Sequence, residues 1–352
     1  MSFTEEQNIL LSIFYKGISN NDYFQKGGHY TSNIRQLLKI IRMYFYRLIS
    51  KKVICESDSV LLVWDPLHEK ILNNHSGEKI VLLDHPSILS GNIFLKYLSI
   101  YNLISLFFNI PKQIFNKKYV YEWLLFSSMH MFFKKNNIQR VTIAGHYDLY
   151  ATWISYLTNE LGVYMIISQH GINSRHNLPY KIPVNKVFAF SSAEIDMFRS
   201  VILEPENTEF CIKQFQSTLV FSKGNFNETT IAIASQPGYE TKVLDLILAI
   251  MEIRNDINII IYSHPADNFR NGKIAYTKVR NFEVIHNERY WDIDFLMVFT
   301  STLAFDYWGC QLFSGKVVCI YDKNCTVSLY DDERSIVLYP DSYISGLREL
   351  IS

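Results

Sequence analysis

Three short polar signatures in this chain each stand just after a strongly apolar run: Gln169-His170-Gly171, His264-Pro265 and Thr300-Ser301-Thr302. A histidine beside a glycine can approach a substrate hydroxyl closely, and its unperturbed pKa suits proton abstraction near neutrality. His170 is therefore the first choice for a general base. An imidazole N–H aimed at a phosphate oxygen makes a strong, charge-assisted hydrogen bond, which suits His264 to a phosphate-bearing ligand. Pro265 would fix the backbone behind it. Ser301 and Thr302 open the stretch 303–308, and hydroxyls at a helix start join the free N–H groups there to make an anion site. Plain capping would account for those hydroxyls too; His264 in the same half of the chain is what points to phosphate. Together these groups suit a nucleotide-linked donor and an acceptor hydroxyl that must lose its proton.

Other polar groups compete. Asp148, in Gly145-His146-Tyr147-Asp148, follows another apolar run and is the rival base, though its place also suits a helix N-cap. Arg175 is placed either to pair with an acceptor phosphate or donor carboxylate, or to lie on the surface. Gln169 and Gly171 flank His170 and go with it to the acceptor side. His85-Pro86 repeats the His-Pro pair without a hydroxyl cluster in its half, and reads as a turn. Asp292-Ile293-Asp294 spells a DxD but precedes an apolar run instead of following one, so it reads as a solvated turn, and Asp331-Asp332-Glu333 as a loop. No cluster has zinc spacing, so neither a metal nor a cofactor is expected.

The elements that must position these groups follow from the apolar pattern. Runs at 60–64, 79–83, 140–144, 163–167, 187–190, 230–234, 257–262, 295–299 and 316–321 read as strands. The longest are apolar without alternation, as in parallel sheets buried on both faces. Helical stretches at 123–133, 149–161, 194–200 and 241–254 alternate with them, the signature of wound parallel sheets. In such sheets ligands bind beyond the carboxyl ends of the strands, where all three signatures stand. The weakly patterned stretch 207–228 separates two such cycles. Three regions are expected: an N-terminal helical segment at 1–56, an acceptor-binding Rossmann-like domain at 57–210, and a donor-binding one at 211–352.

With no Walker lysine motif and no GxGxxG, the Gln-His-Gly, His-Pro and Thr-Ser-Thr signatures resemble those of bacterial GT-B transferases that use CMP- or CDP-activated donors. The group includes polysialyltransferase-like enzymes, Kdo transferases and the glycerophosphotransferases of teichoic acid synthesis. The resemblance covers roughly residues 140 to 320. It implies an α/β GT-B fold, two Rossmann-like doubly wound domains facing a central cleft, with the base on an N-domain loop at His170. It implies donor-phosphate binding by His264, Pro265, Thr300, Ser301 and Thr302. Sialyltransferase-like relatives carry a carboxylate-carboxylate-glycine motif where this chain has Gln-His-Gly, whereas the glycerophosphotransferases use His-Gly. The implied reaction is inverting, metal-independent transfer of a CMP-activated ulosonic acid, of sialic acid or Kdo type. Its acceptor would be a hydroxyl on a surface polysaccharide or lipid-linked oligosaccharide, such as lipopolysaccharide, O-antigen or capsule. A UDP- or GDP-hexose transferase, a CDP-polyol phosphotransferase and a non-catalytic glycan-binding protein are the alternatives.

Composition bounds the partners. Among 352 residues, 34 Lys and Arg balance 34 Asp and Glu, so no global field argues for nucleic acid. Cys55, Cys211, Cys310, Cys319 and Cys325 are scattered and odd in number, as packing thiols of a reducing compartment are. The acidic start, with Glu5 and Glu6, is unlike a signal peptide, and no apolar run reaches the roughly 20 residues that span a bilayer. A cytoplasmic protein is expected, free or peripheral on the cytoplasmic face of the inner membrane. The second option comes from residues 33–52, where Arg35, Lys39, Arg42, Arg47, Lys51 and Lys52 interleave with Ile34, Leu38, Ile41, Phe45 and Leu48. Such a helix either lies in a membrane interface or turns its apolar face to the core.

Overall fold

The structure, a computed structural model, describes residues 3–20, 38, 41–42, 45, 59–63, 79–82, 97, 119–144, 149–169, 178–203, 206, 208–212, 221–223, 228–263, 282–285, 290–301, 303–310, 313–321 and 333–352. The chain divides into two compact units. The first comprises Met1–His170, His176–Ala189 and Phe198–Cys211; the second includes Phe190–Met197 and Ile212–Ser352.

Unit 1 is built on a six-stranded sheet. Its strands are β1 (Ser59–Val63), β2 (Lys79–Leu82), β3 (Arg140–Ile143), β4 (Tyr164–Ser168), β5 (Lys186–Ala189) and β6 (Glu209–Ile212), in the order β2-β1-β3-β4-β5-β6. From β2 to β5 every pairing is parallel. Among the described residues the helices α1 (Phe3–Asn20), α2 (Val120–Lys135) and α3 (Leu149–Glu160) accompany it. Every residue of α3 from Leu149 to Thr158 is buried, because α1 and α2 both pack against it. A helix apolar all round belongs inside a domain, and here that requires α1 as its cover. Trp153 is fully buried, stacks on Phe14 with ring centroids 5.5 Å apart, and donates its indole N–H to the Phe14 carbonyl at 3.1 Å. A Cβ at Gly17 would collide with that indole, so the close approach of the two helices needs glycine. Asn20 then ends α1 with a two-way bond to Tyr180, accepting its N–H at 2.8 Å and donating to its carbonyl at 2.7 Å.

Unit 2 repeats the architecture with β8 (Thr230–Ala234), β9 (Asn258–Tyr262), β10 (Phe282–Ile285), β12 (Phe295–Val298), β13 (Lys316–Ile320) and β14 (Ser335–Leu338). The order is β10-β9-β8-β12-β13-β14, parallel throughout. Alternation along each strand sends Ala232, Ile260, Leu296 and Val317 to one face, where the helix α6 (Leu303–Trp308) supplies Ala304, Phe305 and Tyr307. Ile231, Ile259, Met297 and Val318 go to the other, against α5 (Glu240–Ile253) and α7 (Tyr343–Ile351). In β8, β9, β12 and β13 two buried faces confine polar residues to the strand ends, which is why these strands read as nearly unbroken apolar runs.

Between β5 and β6 in sequence lies α4 (Ser192–Met197), followed by a π turn at Phe198–Ile202. The stretch 207–228, expected to carry little pattern, contains β6 and also β7 (Phe221–Lys223), which pairs in parallel with β11 (Tyr290–Asp292) in a separate two-stranded sheet. β6 is an edge strand with no fully buried residue, so it has no apolar signature to read. No helix among the described residues is long and apolar enough to cross a membrane.

Candidate functional site

In unit 2 the chain runs from β8 outward through β9 to β10, then returns to the other side of β8 with β12. The reversal makes the β8–β12 boundary the topological switch point, where open α/β sheets leave a crevice beyond the strand ends. Ala234 and Val298 are register partners at that edge. The residues following them are therefore Ser235 from β8, and Phe299, Thr300 and Ser301 from β12.

Ser301 is 7% exposed, and its hydroxyl accepts the N–H of Leu303 at 3.2 Å, capping α6. Thr300, half-buried, lies between the strand and that cap. Ser235 was not among the residues singled out from sequence. Its hydroxyl is buried and has no hydrogen-bond partner among the described residues. Ser335 is in the same state, but it begins β14 and so lies at the opposite, amino edge of the sheet. After Ser235 the loop turns through Gly238 at φ +84°, a conformation that favours glycine, and enters α5. The start of α5 is already partly claimed: Glu240 accepts the Gly238 N–H at 2.9 Å and brings negative charge there. The open polar group of this loop is the Ser235 hydroxyl.

Asp306, one turn into α6, is the second group the sequence reading missed. Burial alone pushes its carboxyl up to about 7, and no described residue offers it a hydrogen bond or an opposite charge. A half-buried carboxyl held this way can accept or donate a hydrogen bond near neutrality. Vicinal hydroxyls, as on a ribose or a sugar, are donors that would satisfy it. The helix beneath is held firmly: Arg334 donates to the carbonyls of Trp308 and Cys310 at its end, a cation at a helix C-terminus.

The carboxyl end of β9 is fixed by two tyrosine side chains and the backbone of Trp291. The Tyr262 and Tyr307 hydroxyls lie 3.0 Å apart; Tyr307 donates to the Trp291 carbonyl at 3.1 Å, and the Trp291 N–H donates to Tyr262 at 3.0 Å. Burial drives the Tyr307 phenol well above its ordinary pKa, so it stays a neutral donor. Tyr262 stands two residues before His264. His264, Pro265 and Thr302 themselves lie outside the described residues, as do His170, Gly171, Arg175 and Asp148.

Unit 1 places Gln169 directly after β4, fully buried, with its N–H donating to the Phe188 carbonyl at 3.0 Å. That bond extends the β4–β5 ladder by one residue and fixes the point from which residue 170 departs. β3 and β4 pair through Ile143 and Ile167, so the two candidate-base stretches leave adjacent strands at the same edge.

The DxD resolves as structure. Asp294 accepts the Thr230 N–H at 2.7 Å and returns its own N–H to the Thr230 carbonyl at 3.1 Å, stapling the amino ends of β12 and β8. It sits at the edge away from the switch-point groups, exposed in a bend as expected, and it also serves as a staple. Among the described residues no three His, Cys, Asp or Glu side chains cluster as metal ligands.

No family model matches this chain, and no curated protein does. Solved structures do. A glycosyltransferase from Rickettsia africae ESF-5 is similar with a TM-score of 0.50 and 12% identity, over 83% of this chain and 86% of that one. Anabaena Alr3699/HepE, solved with UDP and glucose, has a TM-score of 0.49 and 11% identity over 83% and 80%. S. aureus TarM gives 0.43 and 12%; 64% of this chain is covered, spanning half of TarM's length. The two parallel-sheet Rossmann-like units are those of the GT-B fold class.

Proposed function

We propose that this chain is a glycosyltransferase whose unit 2 holds a nucleotide-activated sugar and whose unit 1 holds the hydroxyl acceptor. The observation that carries this reading is the polar edge at the β8–β12 switch point: a buried, unpaired Ser235 hydroxyl on β8's end and Thr300 and Ser301 on the end of the neighbouring β12, with the half-buried Asp306 in the next helix. In a GT-B fold those groups suit the phosphate and hydroxyls of a donor. The finer reading is a CMP-activated ulosonic acid, of sialic acid or Kdo type, passed to a glycan or a lipid-linked oligosaccharide. It rests on the sequence signatures around His170, His264 and Thr300.

In the proposed reaction His170 removes the proton of the acceptor hydroxyl as its oxygen attacks the anomeric carbon. A new carbon–oxygen bond forms on one face while the bond to the donor phosphate breaks on the other, inverting the centre. CMP leaves carrying the electron pair on its phosphate. His264 and the Thr300, Ser301 and Thr302 region meet that charge through N–H and O–H donors. The scheme is metal-independent, as the resemblance of the sequence signatures implies.

Thermal-shift titration against CMP, CDP, UDP and GDP, followed by donor turnover, tests this. CMP is expected to stabilise the protein most. His264→Ala should weaken that binding by about 10- to 150-fold, the range for a hydrogen bond to a charged group. A response confined to UDP or GDP would reassign the donor and leave glycosyl transfer standing. No response to any nucleotide would overturn the reading in favour of a glycan-binding protein.

A further inference from the structure

Leu38, Ile41 and Phe45 are helical and strongly exposed, at 59%, 55% and 61% of their surfaces. Their spacing, i, i+3 and i+7, puts them on one stripe of a helix. The contrast with α1 is direct: there Ile13, Phe14 and Ile18 are 5%, 0% and 7% exposed. The core-facing reading of residues 33–52 is thus not what the described residues show. Arg42 is helical and exposed beside the stripe. By sequence, Arg35 and Lys39 stand at helical spacing from it, seven and three residues earlier. Across residues 33–52 there are six Lys and Arg and no Asp or Glu, and Tyr44 and Tyr46 flank Phe45.

We infer that this stripe is an interfacial docking surface for an anionic lipid bilayer. Bulky apolar side chains in a segment whose sequence carries only positive charge complement a hydrocarbon boundary lying under uniformly negative headgroups. Leu38, Ile41 and Phe45 would enter the acyl boundary, with Arg42 and its basic neighbours at the phosphate level. An acidic soluble partner would match the charge but would leave the bulky stripe in water. The inference rests on exposure and charge in the N-terminal segment, and stands independently of the donor site in unit 2.

Co-sedimentation of the full chain with phosphatidylglycerol-containing vesicles and with pure phosphatidylcholine vesicles tests it. Binding is expected to the first only, to weaken as salt rises, and to fall about fivefold in Arg42→Gln. The combined Leu38→Ser, Ile41→Ser and Phe45→Ser variant should lose more than about tenfold. Its melting temperature should stay unchanged, because the three positions are exposed. Equal binding to neutral vesicles, undiminished binding of the triple variant, or a lowered melting temperature of that variant would each overturn the inference. So would binding of a soluble polyanion, such as polyglutamate, without binding of vesicles.

Discussion

The carboxyl edges of the two sheets hold their polar groups differently. In unit 1 several buried polar groups hold structure together, although the Trp123 indole N–H is buried without a hydrogen-bond partner among the described residues. Asn20 bonds both backbone groups of Tyr180, Thr158 donates to the Ile154 carbonyl at 2.8 Å, and the Asn185 carboxamide accepts the Met165 N–H at 2.7 Å. At its carboxyl edge Ser168 and Gln169 are engaged by neighbouring groups. At the matching edge of unit 2 the buried Ser235 hydroxyl has no partner among the described residues. A buried polar group without a partner costs free energy, and such a group at a switch point is what the proposed donor site would use. In unit 1 the proposed base, His170, follows directly on that engaged edge.

The largest effect should come from that loop. His170→Ala is expected to lower turnover by roughly 10²–10⁴-fold while nucleotide affinity stays near native, as measured by kcat and by nucleotide titration. Asp148→Ala should then cost only about 1 kcal/mol of stability, as a lost helix cap. The reverse pattern would transfer the base role to Asp148.

Next comes the pH dependence of Asp306. Its folded-state pKa, about 7, lies above the ordinary 3.8, so the folded state binds the extra proton between about pH 4 and pH 7. Stability of the ligand-free protein should therefore fall as pH rises through that window and level off above it. This carboxyl contributes up to about 4 kcal/mol of that fall. Asp306→Asn should remove that component of the slope, read from urea unfolding at pH 5 and pH 8. An identical pH profile in the variant would mean that the carboxyl is paired or hydrated after all, and the contrast between the edges would weaken.

The smallest effects give the most direct comparison. Thr158→Val in unit 1 should destabilise by about 1 kcal/mol, having lost a satisfied hydrogen bond. Ser235→Ala should leave stability unchanged or raise it by up to about 1 kcal/mol, yet weaken nucleotide binding. A destabilised Ser235→Ala protein would show that the hydroxyl already has its partner.

Much of the fold was readable from the pattern alone. β8, β9 and β13 came out within a residue or two because both their faces are buried, which removes the polar alternation that would confuse a strand with a loop. β6 and β7 were not readable, since short strands at an edge or in a two-stranded sheet leave side chains at the surface and need no apolar run. Of the site, Thr300 and Ser301 were legible as hydroxyls between a strand and a helix. Ser235 had the same context, after β8 and before α5, but only one hydroxyl and no histidine beside it. Asp306 looked like an ordinary polar position inside an aromatic helix.

What the residues determined by themselves is the local part: which runs become strands, where helices begin, and which polar groups stand at strand ends. Those depend on periodicity and capping, interactions among near neighbours. The order of the strands was decided only in three dimensions, and it is the order that makes β8 and β12 neighbours across 60 residues and puts the switch point at Ser235 and Thr300. The same holds for the burial of α1 against Trp153 and for the exposure of Leu38, Ile41 and Phe45, two apolar patterns alike in sequence and opposite in fate. Whether a polar group is satisfied, or an apolar one covered, depends on what long-range packing brings beside it.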